Sequence, residues 1–228
     1  MVKFYIVLQM VLFLIQAVMS SKDNMNHKEK RRVSYLRHGL DVTFILGAAL
    51  LMYKMPGRYS NLIMAGIGFS VLGDLIMSEA LKLKNRLVFG MASFSATHFF
   101  YISAFSRLIG DYSTTSRCVL PYTVGTYLII TSIVFIWLVR VPSAGKILNN
   151  SAFIYGLIVS LMAASGCTAA ITLGGGWSIL GPATGLFLFS DAIIALTEIG
   201  GHKIPKAGWL IWVTYSAAQV GIIIAGLL

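Results

Sequence analysis

Long apolar runs broken by short charged stretches set the rhythm of this chain. Read for periodicity and length, they predict eight helices: Val2–Met19, Leu36–Tyr53, Asn61–Ser78, Leu87–Ser106, Cys118–Val139, Ser151–Leu173, Trp177–Thr197 and Trp209–Leu228. Each approaches the ~20 apolar residues that a bilayer crossing needs. Backbone polar groups in hydrocarbon must be bonded within their own segment, so runs of this kind are helical. The second run is the weakest, being short and holding Asp41 near its start. That residue is expected near the headgroups, in contact with water. No Ser- or Pro-rich linker divides the chain and no internal repeat stands out. The expectation is an all-α, polytopic bundle of eight transmembrane helices over residues 1–228, folded as one integral-membrane domain.

Composition agrees. Of the 228 residues, 57% are hydrophobic and 11% charged, against about 25% charged in a soluble domain. A disordered chain, a coiled coil and a soluble domain are thereby excluded. The net charge of +10 would suggest nucleic acid in a soluble protein. Here the basic residues lie between apolar runs and no base-stacking module accompanies them, so no nucleic-acid partner is expected. Their expected partners are anionic membrane lipids. Cys118 and Cys167 both sit in apolar runs and suggest neither a disulfide framework nor a metal site.

Charge also orients the helices. The loops after the first, third, fifth and seventh runs, with Arg37 at the edge of the first loop, hold thirteen of the 18 Lys and Arg residues. The opposite side holds Lys3, Lys54, Arg58, Arg107 and Arg117. The positive-inside rule places the richer side in the cytosol. A competing reading takes the first run, ending Val18-Met19-Ser20, as a cleavable signal peptide. Cleavage would leave Lys28-Glu29-Lys30-Arg31-Arg32 outside, so an uncleaved first helix fits better. The expected location is the endoplasmic reticulum or another cell membrane, and self-association into a homo-oligomer stays open.

Acidic groups deep in apolar runs are the informative residues. An aspartate at a helix centre costs roughly 2.5–3.5 kcal/mol and usually faces a bundle interior with a functional role. Asp74 follows Gly-Phe-Ser-Val-Leu-Gly, and Asp191 follows Gly-Leu-Phe-Leu-Phe-Ser. Counted from Glu79 and Glu198 at 1.5 Å per residue, both carboxyls lie roughly 8–12 Å inside the same basic boundary. Ser70, Asp74 and Ser78 form one polar stripe; Thr184, Asp191 and Glu198 form another, with Ser190 beside it. Phe94, His98, Tyr101 and Phe105 share a face of the fourth run. Tyr155 with Met162, and Trp212 with Tyr215 and Gln219, share faces of the sixth and eighth. Together these predict a buried polar pocket in the cytosolic half. The plainer readings stand beside it: His98 as a hydrogen-bonding strut between helices, the tyrosines as packing groups, and Glu79 and Glu198 as interfacial residues.

Two carboxyls held close in a dry site cannot both ionise easily, so such a pair holds one proton and can divide acid and base duties. Competing constellations are missing from the sequence. There is no phosphate-binding Gly-rich loop, no HExxH, no GxSxG elbow and no zinc-spaced His cluster. The GxGD motif of intramembrane aspartyl proteases fails, because Val71-Leu72-Gly73-Asp74 lacks the first glycine. No metal and no cofactor is expected. Buried Asp and His groups also serve as proton relays, so a proton-coupled transporter or channel remains the alternative.

Several segments carry a family resemblance. They are Ala65-Gly-Ile-Gly-Phe-Ser-Val-Leu-Gly-Asp74, Phe89-Gly-Met91 and His98-Phe-Phe-Tyr-Ile-Ser-Ala-Phe105, then Gly185-Leu-Phe-Leu-Phe-Ser-Asp191, Pro205 and Thr214-Tyr-Ser-Ala-Ala-Gln219. Their order and spacing over roughly residues 35–220 resemble the lysoplasmalogenase family, the YhhN-type multi-pass membrane hydrolases. Two positions depart from its pattern: Arg37 precedes Gly39-Leu40-Asp41 with no proline nearby, and Ser216 replaces a tyrosine. The resemblance implies hydrolysis of the vinyl ether of a 1-alkenyl lysophospholipid to a fatty aldehyde and glycerophosphoethanolamine or glycerophosphocholine. It implies Asp74 and Asp191 as catalytic groups. His98, Tyr101, Ser70, Ser190, Tyr155, Tyr215 and Gln219 would bind or orient substrate. Depth, rather than the resemblance, puts the headgroup phosphate near the cytosolic boundary, within reach of Lys82, Lys84, Arg86, Lys203 or Lys206, whose plainer role is the positive-inside charge.

Overall fold

The computed structural model describes residues 1–20, 27–110 and 113–228. Lys22 and the side chains of Lys28, Lys30, Arg31 and Arg32, part of the first basic loop, lie outside the described residues. All regular structure among the described residues is helical, in eight long helices: α1 (Val2–Ser20), α2 (His27–Lys54), α3 (Arg58–Met77), α4 (Arg86–Gly110), α5 (Ser113–Val134), α6 (Lys146–Leu173), α7 (Leu180–Ile194) and α8 (Ala207–Ala225). Each contains or forms most of a segment long and apolar enough to cross a membrane. The eight expected runs match these one for one, with ends shifted by a few residues except at α2, which begins at His27 rather than Leu36 because its charged first turns precede the apolar run.

Two helices run past their regular ends. Phe135–Val139 after α5 and Ala195–Ile199 after α7 each form a wide turn closed by an i→i+5 bond, Arg140 N to Phe135 O and Gly200 N to Ala195 O, both 2.9 Å. These turns meet on the basic side, where His202 Nε2 donates to the Leu138 carbonyl at 2.7 Å. Between α6 and α7 the chain reverses through Gly174 and Gly175, at φ 65° and 55°, a region that a side chain strongly disfavours.

Packing partners define a ring. α2 packs on α3, α3 on α4, α4 on α6, α6 on α7, α7 on α8, and α8 returns to α2. α1 lies outside against α2 and α8, where Trp209 Nε1 donates to the Ala17 carbonyl at 2.8 Å. α5 lies outside α6, joined by hydroxyl pairs Thr131–Ser160 at 2.5 Å and Thr123–Thr168 at 2.7 Å. Burial separates the classes: 50% of the α6 span is buried but only 6% of the α5 span. The exposed Ile129, Ile130, Ile133 and Ile136 of the α5 arm are what a lipid-facing surface requires.

The tightest seam is α3 against α4. A Cβ on Gly66 would overlap the Tyr101 ring, and one on Gly73 would overlap the Phe94 ring. Small residues let membrane helices approach closely, since dispersion rather than water exclusion drives their association. Gly73 precedes Asp74, so this close approach also fixes how the carboxyl faces inward.

Candidate active site

Every ring helix sends a polar side chain inward. Asp74 and Asp191 are 6% and 7% exposed, and both line one cavity of about 230 Å³. Arg37, Ser78, Arg86, Ser190, Glu198, Trp212 and Tyr215 also line it. Its polar mouth is on the basic side, where Arg86 Nη2 donates to Glu198 at 2.9 Å and Nη1 donates to the Met77 carbonyl at 3.3 Å.

Asp74 ends a directed chain of hydrogen bonds. Tyr101 donates to Gln219 Oε1 at 2.6 Å, and Gln219 Nε2 donates to Ser70 at 2.6 Å. Tyr215 donates to Asp74 Oδ2 at 2.5 Å, which leaves Ser70 to donate to the Tyr215 oxygen at 2.7 Å. All five groups are buried. Donors aligned head to tail reinforce one another in a low-dielectric interior, and their positive end points at the carboxyl.

Asp191 has a shorter support. Tyr155 donates to its Oδ2 at 2.7 Å, and His98 Nε2 lies 3.1 Å from the Tyr155 oxygen and 3.4 Å from Asp191. With Tyr155 donating to the carboxyl, its oxygen accepts from His98 Nε2–H, and Nδ1 is the bare nitrogen. That nitrogen is buried with no partner among the described residues. Phe187 meets the imidazole edge-on at 4.9 Å.

Asp191 also borders apolar space. With Tyr155 it borders an apolar groove of about 420 Å³, walled by the α5 arm, α6 and α7 through Ile130, Val134, Leu188 and Leu196. A small apolar recess of about 40 Å³, lined by Met77, Met91 and Phe94, also reaches Asp191 and Tyr155. One carboxyl therefore borders the polar cavity, the recess and the groove.

Most of the expected residues meet here. Ser70, Tyr101, Tyr215 and Gln219 gather at Asp74, and His98 and Tyr155 at Asp191. Ser190 lines the cavity but donates to the Phe187 carbonyl of its own helix at 2.9 Å. Of the five basic candidates Arg86 lines the cavity, while Lys82, Lys84, Lys203 and Lys206 are exposed and lie outside its lining.

Asp41 requires a correction. Far from sitting in water at the headgroups, it is 2% exposed on α2, with its carboxyl beside that of Asp74 and 3.3 Å from His38 Nδ1. The ring closes α2 against α3 and α8, so a residue near the start of a span becomes interior. Among the described residues no N–H or O–H group is directed at Asp41 Oδ1. Asp74 has no hydrogen bond to Asp191 among the described residues; its carboxyl neighbour is Asp41. The spacing of Arg37, His38 and Asp41, three and four residues apart in an apolar run, was the signal for this face.

No group of three or more His, Cys, Asp or Glu able to hold a metal occurs among the described residues. What the arrangement offers is Brønsted chemistry: a carboxyl pair, a separate carboxylate with a phenol donor, and an apolar groove reaching the latter.

Searches of curated proteins and of solved structures give no match. A protein-family match, by contrast, covers residues 36–226, which takes in seven of the eight helices and every polar group named above. The chain belongs to the YhhN family, the family of lysoplasmalogenases.

Proposed function

We propose that this protein hydrolyses the vinyl ether of 1-alkenyl lysophospholipids, releasing a fatty aldehyde and glycerophosphoethanolamine or glycerophosphocholine. The observation that carries the reading is the position of Asp191, which borders both a polar cavity shared with Asp74 and an apolar groove of about 420 Å³. A one-chain lipid has those two halves, and its vinyl ether lies at their junction.

A vinyl ether has no carbonyl for a nucleophile to attack; it has a basic carbon. The Asp41–Asp74 pair, holding one proton, delivers it to the second carbon of the alkenyl chain. The π electrons form that C–H bond, and the first carbon becomes an oxocarbenium ion. Asp191 stabilises the cation and takes a proton from the water that adds to it. The resulting hemiacetal collapses, the C–O bond to glycerol breaks, and a proton moves to the departing glycerol oxygen. The hemiacetal hydroxyl gives up its proton as the aldehyde forms, so the acid is restored and one water is consumed. Two carboxyls divide similar work around an oxocarbenium-like transition state in glycosidases. Tyr155 and Tyr215 orient the carboxyls and His98 orients Tyr155. The basic side is the cytosolic face in this reading, and the membrane is the endoplasmic reticulum or another cell membrane.

The test is mass spectrometry of purified protein incubated with vinyl-ether, alkyl-ether and acyl lysolipids in parallel. Aldehyde release from the vinyl ether alone, without any ion gradient, is expected. Equal turnover of acyl substrate would point to another hydrolase class. Gradient-dependent flux with no aldehyde would favour a proton-coupled transporter.

A further inference from the structure

We propose that Arg37 is an oxyanion-binding residue that grips the phosphate of the lysolipid headgroup inside the cavity; this rests on the hydrolase reading above. Arg37 lines the cavity that holds Asp74 and Asp191. Its guanidinium lies over the Trp212 ring, 4.7 Å from the centroid. Its Nε is buried, and no acceptor among the described residues takes a hydrogen bond from it.

A guanidinium carries five donors in a rigid fork, and leaving one of them, here Nε–H, unused away from water is expensive. The cavity's other cation is differently placed. Arg86 is already engaged by Glu198, the Met77 carbonyl and Glu79. The negative charge that Arg37 feels is that of Asp74, which offsets its charge while Nε still lacks an acceptor among the described residues. A phosphodiester supplies what is missing: one negative charge and two oxygens spaced for bidentate bonding. Stacking on Trp212 fixes the plane of the fork before the ligand arrives.

Position fits the same ligand. Arg37 is four residues before Asp41, so it lies about 6 Å nearer the basic mouth along α2. A glycerol backbone bridges such a separation, carrying the phosphate toward Arg37 while the ether oxygen stays among the carboxyls. Glu198 lies on the same cavity wall, where the ammonium of the headgroup would find a negative partner.

The experiment uses the detergent-solubilised full chain. Calorimetric titration compares glycerophosphoethanolamine, inorganic phosphate and glycerol on the native protein, Arg37→Gln and Arg37→Lys. Glycerophosphoethanolamine should bind the native protein about tenfold or more tightly than Arg37→Gln, with Arg37→Lys between them, as expected for loss of a charge-assisted bidentate contact. Inorganic phosphate binding with the same dependence on Arg37, and no binding of glycerophosphoethanolamine, would support the oxyanion site but make free phosphate its source. Equal affinities for native protein and Arg37→Gln, or no binding by either, would overturn the proposal. In parallel, kcat/KM is measured on lysoplasmalogen and on phosphate-free 1-alkenylglycerol. The preference for the phosphorylated substrate should fall about tenfold in Arg37→Gln; equal losses on both substrates would overturn the assignment, because Arg37 would then act only through Asp74. If native protein cleaves neither substrate, the hydrolase reading fails while the titration still decides the site.

Discussion

The two halves of the polar interior are built differently. Around Asp74, three helices contribute five buried groups joined into one directed chain, and a second carboxyl stands alongside. Around Asp191, support comes from Tyr155 and His98, one His98 nitrogen has no partner among the described residues, and an apolar groove begins at the carboxyl itself. The first arrangement is a continuous network; the second stands at a junction. A fully connected network fixes geometry, because each member costs free energy if released unpaired. A junction between polar and apolar space is where an amphiphile's reactive bond would come to rest. The Asp74 side is therefore suited to holding a proton in a fixed place, and the Asp191 side to meeting substrate.

Breaking either carboxyl should have the largest effect. Asp74→Asn and Asp191→Asn are each expected to lower kcat on lysoplasmalogen by about 10²–10⁴, the usual worth of a positioned acid or base. Full activity in both folded variants would remove the aspartates from the mechanism. Asp41→Asn tests the pairing. It should reduce kcat by about tenfold or more while KM stays close to native, the signature of an interaction made only in the transition state.

The tyrosines sharpen the contrast. Tyr215→Phe breaks the buried chain and should lower stability by about 1–3 kcal/mol, because Ser70, Gln219 and Asp74 lose a shared partner. Tyr155→Phe should act mainly on kcat, with a smaller shift in Tm. Thermal unfolding beside steady-state kinetics separates the two, and equal Tm losses would mean that the halves are not mechanically distinct.

Two gentler changes probe the walls. Gly185 borders the apolar groove, and a Cβ there meets open space. Gly185→Leu should therefore fit, shorten the groove and raise KM severalfold for long alkenyl chains more than for short ones. The smallest effect is expected at the mouth. Arg86 and Glu198 are about 40% exposed, so Glu198→Gln should change stability by under about 1 kcal/mol, as surface pairs do. A larger loss would mean that the mouth is drier in the membrane than its exposure implies.

Much of this was legible from residue order. Phe94, His98, Tyr101 and Phe105 were placed on one face by spacing, and all four are buried. Asp74 and Asp191 were placed at one depth, and they line one cavity. Asp41 was misjudged because depth along a helix was read as exposure to water. Packing of α2 into the ring closes that end, so the residue is dry. The pairing also differed from expectation: equal depth made Asp74 and Asp191 look like neighbours, yet the rotation of α2 and α3 about their axes puts Asp41 beside Asp74.

The sequence by itself determined that the chain is helical, how many spans it has and roughly where they lie, and which side chains are too polar to face lipid. Those follow from local physics: backbone groups in hydrocarbon must pair within their own segment, and charge avoids it. Only the tertiary structure decided which helices form the ring and which two stay outside, that Arg37 stacks on Trp212, and that the apolar groove ends at Asp191. Helix neighbours are set by close packing of small residues such as Gly66 and Gly73 against particular rings, a pairwise shape match that spacing along a single segment does not encode.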